Sequence, residues 1–376
     1  MRTLILTPFI PEQDPRASRL AAYVRGAGGA AEVAGVSGLA PSVESTGEVA
    51  SPRPGGRGRR RFRRYLRTWS ILGARSSLFD QVVAVNCEVG IVSWLFRLVH
   101  GRRFRLVLDV YDHHGDIFES RVLSSAFAVL ELAAAVSADA VILPTRERVA
   151  QYPGLARAAV SRKALFISNA GFDLPRSSRA VMAADRGPAS YDGEAGVPGP
   201  LRIVYCGNVD FSRGLDTLIA AVEATAGRWQ LDIHGGGVAF AALEALAAAG
   251  ANVRLHGPFR TAELVERAAG ADLYWAAYDL RVANNRYCDP NKFRDHVILD
   301  VPILTNPGHP LAHLVERSQS GFVVPLDVVA LRGFLDALDR RELARRLPSM
   351  VRADAVLSSV IAANRAGGDR VAFGTG

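Results

Sequence analysis

Lysine is almost missing from this chain: of 45 basic residues only Lys163 and Lys292 are lysine, and the rest are arginine. A lysine held at 292 against that drift marks its surroundings for attention. Cysteine is scarce too. Cys87, Cys206 and Cys288 are an odd number without metal-type spacing, which excludes a disulfide framework and fits a reducing compartment. Long apolar runs are also absent. The longest, Val122 to Pro144, is broken by Glu131 and Asp139, leaving no stretch of about 20 uncharged apolar residues to span a bilayer. The apolar core of Met1 to Ile10 is too short for a signal peptide and runs into Pro11-Glu12-Gln13-Asp14. These absences together point to a soluble, cytoplasmic protein.

What is present is a chain of 376 residues, 49% hydrophobic, which is too long for one compact core and predicts two domains. Short β-branched or leucine-rich runs recur with helical stretches between them. In the first half they are Arg2 to Thr7, Gln81 to Val85, Arg105 to Val110, Ala140 to Leu143 and Ala164 to Ile167. In the second they are Arg202 to Tyr205, Gln230 to Ile233, Val253 to His256, Leu273 to Ala276, Pro302 to Leu304 and Gly321 to Val324. Continuous apolar strands alternating with helices predict parallel sheets covered on both faces. The fold class is therefore α/β, with two tandem Rossmann-like doubly wound domains facing across a cleft. The expected boundaries are an N-terminal domain over 1–176, a linker over 177–200 rich in Ala, Gly, Pro and Ser, a C-terminal domain over 201–345, and a helical segment over 346–376 that packs back on the first domain.

Net charge is +8, and much of the excess lies between Arg53 and Arg67. Phe62, Leu66 and Trp69 fall three or four apart among arginines there, a basic amphipathic segment suited to an anionic membrane surface; a merely solvated arginine-rich loop is the alternative. Nucleic acid is not expected as a partner, because only Phe62, Tyr65 and Trp69 offer stacking surface and no nucleic-acid module surrounds them.

The most informative segment is Asp289-Pro290-Asn291-Lys292-Phe293-Arg294-Asp295-His296, just before an apolar strand. An ammonium at Lys292 can neutralise phosphate oxygens. A carboxylate at Asp295, one helical turn on, lies on the same face and can accept from ribose hydroxyls. The alternative is a solvated helix start. A second anion site is expected after Ile203-Val204-Tyr205, where Gly207, Asn208, Arg213 and Gly214 form a glycine-punctuated loop entering a helix; a plain strand-to-helix turn would look alike. His234-Gly235-Gly236-Gly237 permits close backbone approach to a ligand, or a tight turn.

In the first half, Asp109-Val110-Tyr111-Asp112-His113-His114-Gly115-Asp116 follows a strand and is dense in titratable groups, a place for a base. Asp112 and His113 are the candidate catalytic residues; Asp109 and Asp112 could equally cap a helix. Adjacent histidines on an extended loop point apart, so no metal is expected. In Thr7 to Leu20, Arg16 and Arg19 suit an anionic acceptor, or are surface charges.

Taken together, these segments resemble the two-domain GT-B glycosyltransferases, in particular the large family-4-like group. The resemblance rests on Gly207 to Ile219, Leu231 to Gly237, Asn252 to Gly257, Ala271 to Leu273 and Pro290 to Pro302, in matching order and spacing. It implies a sugar moved from a nucleoside diphosphate sugar (UDP or GDP type) to an acceptor hydroxyl, without bound metal or other cofactor. The acceptor would be a carbohydrate, a lipid-linked molecule or a small molecule. On the same basis Gly207, Asn208, Arg213, Gly214, Gly257, Phe259, Asn291, Lys292 and Asp295 would hold the donor nucleotide, with the loop from Gly257 to Phe259 flanking the base. Arg16, Arg19 and Asp109 would hold the acceptor. The chain departs from the pattern at Tyr287 and Asp295, which stand where two glutamates are common, at Asn208 in place of a basic residue, and at Asp300 in place of glycine. A non-catalytic homologue that binds nucleotide or activates a partner transferase, and a sugar-nucleotide epimerase, are the alternatives.

Overall fold

The computed structural model describes residues 1–11, 14–36, 56–101, 104–111, 121–169, 199–259, 263–289, 291–346 and 349–373. The chain divides into two compact units, Met1–Asn169 with Ala362–Gly376, and Ala170–Ile361. The 177–200 stretch read as a linker lies almost wholly outside the described residues.

Among the described residues, the first unit has one parallel sheet of six strands: β1 (Arg2–Thr7), β2 (Ala30–Gly35), β3 (Gln81–Val85), β4 (Arg105–Asp109), β5 (Ala140–Leu143) and β6 (Ala164–Phe166), in the order β2-β1-β3-β4-β5-β6. The second unit has another: β7 (Leu201–Cys206), β8 (Trp229–His234), β9 (Val253–Leu255), β10 (Leu273–Trp275), β11 (Ile303–Thr305) and β12 (Gly321–Val323), in the order β12-β11-β10-β7-β8-β9. All the ladders are parallel. Eleven of these strands sit on the apolar runs read from sequence. The twelfth, β2, was missed because Ala-Ala-Glu-Val-Ala-Gly has little β signal and lies at a half-exposed sheet edge.

Both sheets are doubly wound, which puts apolar side chains on both faces. Leu201, Ile203 and Tyr205 of β7, with Trp229, Leu231 and Ile233 of β8, join one core, while Val204 and Cys206 join another with Tyr274 and Phe293. The alternation is the two-residue period of a strand. In each sheet the strand order reverses once, between β1 and β3 in the first and between β7 and β10 in the second. Such reversals open a crevice at the carboxyl ends of the strands.

The terminal helix Met350–Phe373 carries the chain from the second unit into the first. There Asn364 and Ser168 exchange hydrogen bonds of 2.8 and 2.7 Å, and Arg105 donates to the Val371 carbonyl at 3.0 Å.

Candidate functional site

The loops leaving β7 and β10 flank the reversal of the second sheet, and each delivers one cation. Lys292 opens the helix Lys292–Leu299, with Asn291 as its N-cap residue. Its ammonium donates to Tyr274 Oη at 3.0 Å and lies 4.8 Å from the Tyr205 ring centroid and 5.2 Å from that of Tyr274. It is 8% exposed. Burial drives its pKa below the ordinary value, and the Asp295 carboxylate opposes the shift. Tyr274 Oη in turn reaches Asp295 Oδ2 at 3.3 Å, so lysine and carboxylate do share a face and meet through a tyrosine. Asp295 is also held by Arg294 at 2.8 Å, a contact that the helical period alone did not foretell.

Arg213 arrives from the other loop. Its guanidinium stacks 4.7 Å over the Tyr278 ring and donates to Asn285 Oδ1 at 3.0 Å, while its carbonyl accepts from the indole of Trp275 at 2.9 Å. Behind Arg213, Gly214 takes a left-handed conformation (φ 61°) and starts the helix Leu215–Glu223. The two cations feel one another: Arg213 is among the charges that push Lys292 down, and it also acts on Tyr205, over whose ring Lys292 sits. Arg213 thus disfavours the charged form of Lys292, and an anion bound beside them would offset that effect.

Gly207 is glycine for a reason visible in the packing. A Cβ there would lie 2.9 Å from Lys292 Nζ and 3.1 Å from Tyr205 Oη. Gly235 likewise touches the Gly207 carbonyl, which a Cβ would approach to 1.7 Å. Backbone bonds stitch the loops after β7, β8 and β9 together: Gly207 N to the His234 carbonyl, Val209 N to Gly236 and Gly235 N to Gly257, at 2.9, 3.0 and 2.7 Å. Gly207→Ala should therefore displace the ammonium while leaving the strand in place. Calorimetry is expected to show about tenfold weaker UDP or GDP binding, the loss of roughly one charge-assisted bond. An unchanged affinity would show that the ammonium does not need its glycine seat.

A cavity of about 920 Å³ opens at the carboxyl edge, lined by Asp210, Phe211, Ser212, Gly214, Tyr278, Arg281, Arg286 and Asn306 among others. It takes in the surroundings of Arg213 and stops short of Lys292 and Gly207. Asn208 is exposed beside it, and Gly257 and half-buried Phe259 lie beyond β8, after β9. Asp300 takes the left-handed conformation (φ 54°) in which a glycine would be at ease.

In the first unit, Arg16 and Asp109 are brought together. The guanidinium grips the carboxylate through two bonds of 2.8 and 2.7 Å and gives its remaining nitrogen to the Ile167 carbonyl and Asn169 Oδ1. Asp109 is wholly buried and Arg16 4% exposed. Asp14 caps the helix Pro15–Gly26 beneath Arg16. Arg19, on the same helix, is half-buried. Asp112 and His113 lie outside the described residues, as does the rest of the His-His-x-Asp string. Among the described residues no group of three or more His, Cys, Asp or Glu is placed to hold a metal.

Sequence reasoning missed Tyr205, Tyr274, Tyr278, Asn285 and His309, the last stacked on Tyr278 at 4.3 Å. Tyrosines inside short apolar strands read as core, and only folding places their hydroxyls or rings under cations. It also missed Asn86, with a positive φ of 76° at the reversal of the first sheet; an Asn between strand and helix is the signal for it.

No protein-family model and no curated relative matches the chain by sequence. Solved structures do match. Anabaena HepE in complex with UDP-glucose superposes with a TM-score of 0.67 at 14% identity, covering 99% of both chains. Sucrose-phosphate synthase from Thermosynechococcus elongatus gives 0.65 at 16% identity over 96% of each, and apo OtsA gives 0.68 at 13% over 97% of this chain and 98% of its own. The chain has the GT-B fold. The two Rossmann-like units expected from the sequence are those of the GT-B architecture, and Lys292 and Arg213 stand at the strand-order reversal of its second unit.

Proposed function

We propose that this GT-B protein is a glycosyltransferase that moves a sugar from a nucleoside diphosphate sugar, of UDP or GDP type, to an acceptor hydroxyl. One observation carries the reading: the two loops flanking the reversal of the second sheet each bring a cation over tyrosine rings, Lys292 over Tyr205 and Tyr274 and Arg213 over Tyr278, and Arg213 acts on the charge of Lys292. A leaving diphosphate gathers negative charge in the transition state, and in this reading Lys292 and Arg213 stabilise it, usually a large catalytic contribution. Asp295 is the candidate for the ribose, Gly257 and Phe259 for flanking the base, and Asn208, Gly214 and Asn291 for lining the donor. HepE is described with UDP-glucose, which favours a uridine nucleotide among the first ligands to try.

For the first unit, Asp112 and His113 remain the proposed contacts to the acceptor hydroxyl or transferring sugar. Arg16 and Asp109 act as an internal clamp on the helix that carries Arg19. A cytoplasmic setting at the inner membrane face fits the helix Gly56–Arg75, where Phe62 and Leu66 are 59% and 56% exposed beside exposed Arg63 and Arg67. Trp69 instead packs edge-on against Phe96 at 5.1 Å. Leu66 and Trp69 also line an apolar cavity of about 350 Å³. No helix among the described residues is long and apolar enough to cross a membrane. Work on a surface polysaccharide, a glycolipid or a natural product would suit such a place.

The test is a thermal-shift panel of nucleotide sugars followed by turnover. A ligand held at a hundred times its dissociation constant should stabilise the protein by about 2.7 kcal/mol. Isomerised sugar from donor alone would make the protein an epimerase. Binding without transfer to any acceptor would make it the non-catalytic homologue, a reading favoured by Tyr287 and by the engagement of Asp295 with Arg294. If no nucleoside diphosphate sugar binds, the reading falls.

A further inference from the structure

His234 ends β8 and is 5% exposed, yet neither ring nitrogen has a hydrogen-bond partner among the described residues. Buried polar atoms are nearly always paired, so two orphans on one ring point to a partner still to arrive. The ring is held firmly without them. It stacks on His256 with centroids 4.3 Å apart and 12° between planes, and Phe259 meets it edge-on at 6.4 Å. His256 is itself fixed by Asp232 at 2.7 Å, which Arg202 also holds at 2.7 Å. A half-buried ion pair therefore orients the imidazole stack.

That stack stands one strand away from the Cys206–Gly207 turn against which Lys292 packs. His234 pairs with Cys206 across the β7–β8 ladder, one strand spacing of about 4.8 Å away. The thiol of Cys206, pushed up to about 12 by burial, feels Lys292 and Asp295 on one side and Asp232 on the other. The side chains of Asp232, Cys206 and Tyr274 share one face of the sheet by strand alternation, and His234 belongs to the same row. Moving from Lys292 across Gly207 to His234 and on to Phe259 follows the carboxyl edge over β7, β8 and β9, the direction a nucleoside would extend from its diphosphate. Burial, and then the neighbouring His256, lower the His234 pKa to about 4, so the ring is neutral near pH 7 and carries one N–H donor and one lone pair.

We propose that His234 hydrogen-bonds the nucleobase of the bound nucleoside diphosphate and is the residue that reads which base is present. The inference rests on the donor site proposed above and assigns its base selectivity to a single side chain. His234→Phe keeps the aromatic ring for His256 and Phe259 and removes both nitrogens. Calorimetry with UDP, GDP, ADP, CDP and inorganic pyrophosphate is expected to show the preferred nucleoside diphosphate binding about tenfold more weakly to the variant, a narrower spread among bases, and unchanged pyrophosphate. Ring-nitrogen NMR shifts of His234 in the unmodified protein give a second reading, independent of the variant's folding: UDP or GDP should move them and pyrophosphate should not. Undiminished nucleotide affinity in the variant, an equal loss for pyrophosphate, or ring shifts indifferent to the base overturns the assignment while leaving the donor site standing. A native protein that binds neither pyrophosphate nor any nucleotide removes the donor site itself.

Discussion

Replacing Lys292 by methionine is expected to weaken UDP or GDP binding by about a hundredfold, roughly the 3 kcal/mol of a charge-assisted bond made in a dry site. The fold should survive, because methionine fills similar space and Asp295 keeps Arg294 as its partner at 2.8 Å. The pH dependence carries a sign that separates an electrostatic role from a steric one. Burial holds the Lys292 pKa below its ordinary 10.5, so between the lowered value and 10.5 the unfolded chain binds the extra proton and unliganded stability rises with pH. An anion bound beside the ammonium favours the charged form and pulls the pKa back up. Nucleotide binding should then take up protons and weaken as pH climbs through the lowered value. Calorimetry in two buffers of different ionisation enthalpy reads that uptake directly. The methionine variant should show none, and a variant that binds UDP and GDP like the parent would refute the cation's role.

Arg16→Ala should destabilise the first unit by about 3–5 kcal/mol, since it leaves the wholly buried Asp109 carboxylate without its counter-charge. The double change Arg16→Met with Asp109→Leu should recover most of that loss, because two apolar side chains of similar volume avoid the desolvation penalty of the pair. Hydrogen exchange at β1 and β4 amides measures the effect within this unit, free of the second. The donor affinity of the second unit should not move. If the single variant loses less than about 1 kcal/mol, water reaches Asp109 and the pair is available for ligand contact after all.

How far the sequence could be read is clearest where periodicity met backbone chemistry. Eleven strands follow from apolar runs whose period matches a parallel sheet, and Asp289 to His296 was readable as a helix start because a loop with Asn and Pro precedes a helical run. Both cations of the candidate site were legible from residue type and from resemblance. Their company was not. Lys292 and Tyr274 are 18 residues apart and Arg16 and Asp109 are 93, separations over which no local pattern constrains a contact. By sequence Arg16 reads as an acceptor contact or a surface charge, and only the closing of the sheet brings it onto buried Asp109.

The residues alone settled that this is a doubly wound α/β chain with a lysine and an arginine at two strand ends, since hydrophobic period and glycine placement are local properties carried by each segment. Tertiary structure decided that Tyr274 joins Lys292 to Asp295, that Gly207 must lack a side chain, and that His234 keeps two unused nitrogens. Those facts depend on which strands lie side by side, and strand order is a consequence of how the whole sheet buries its two faces.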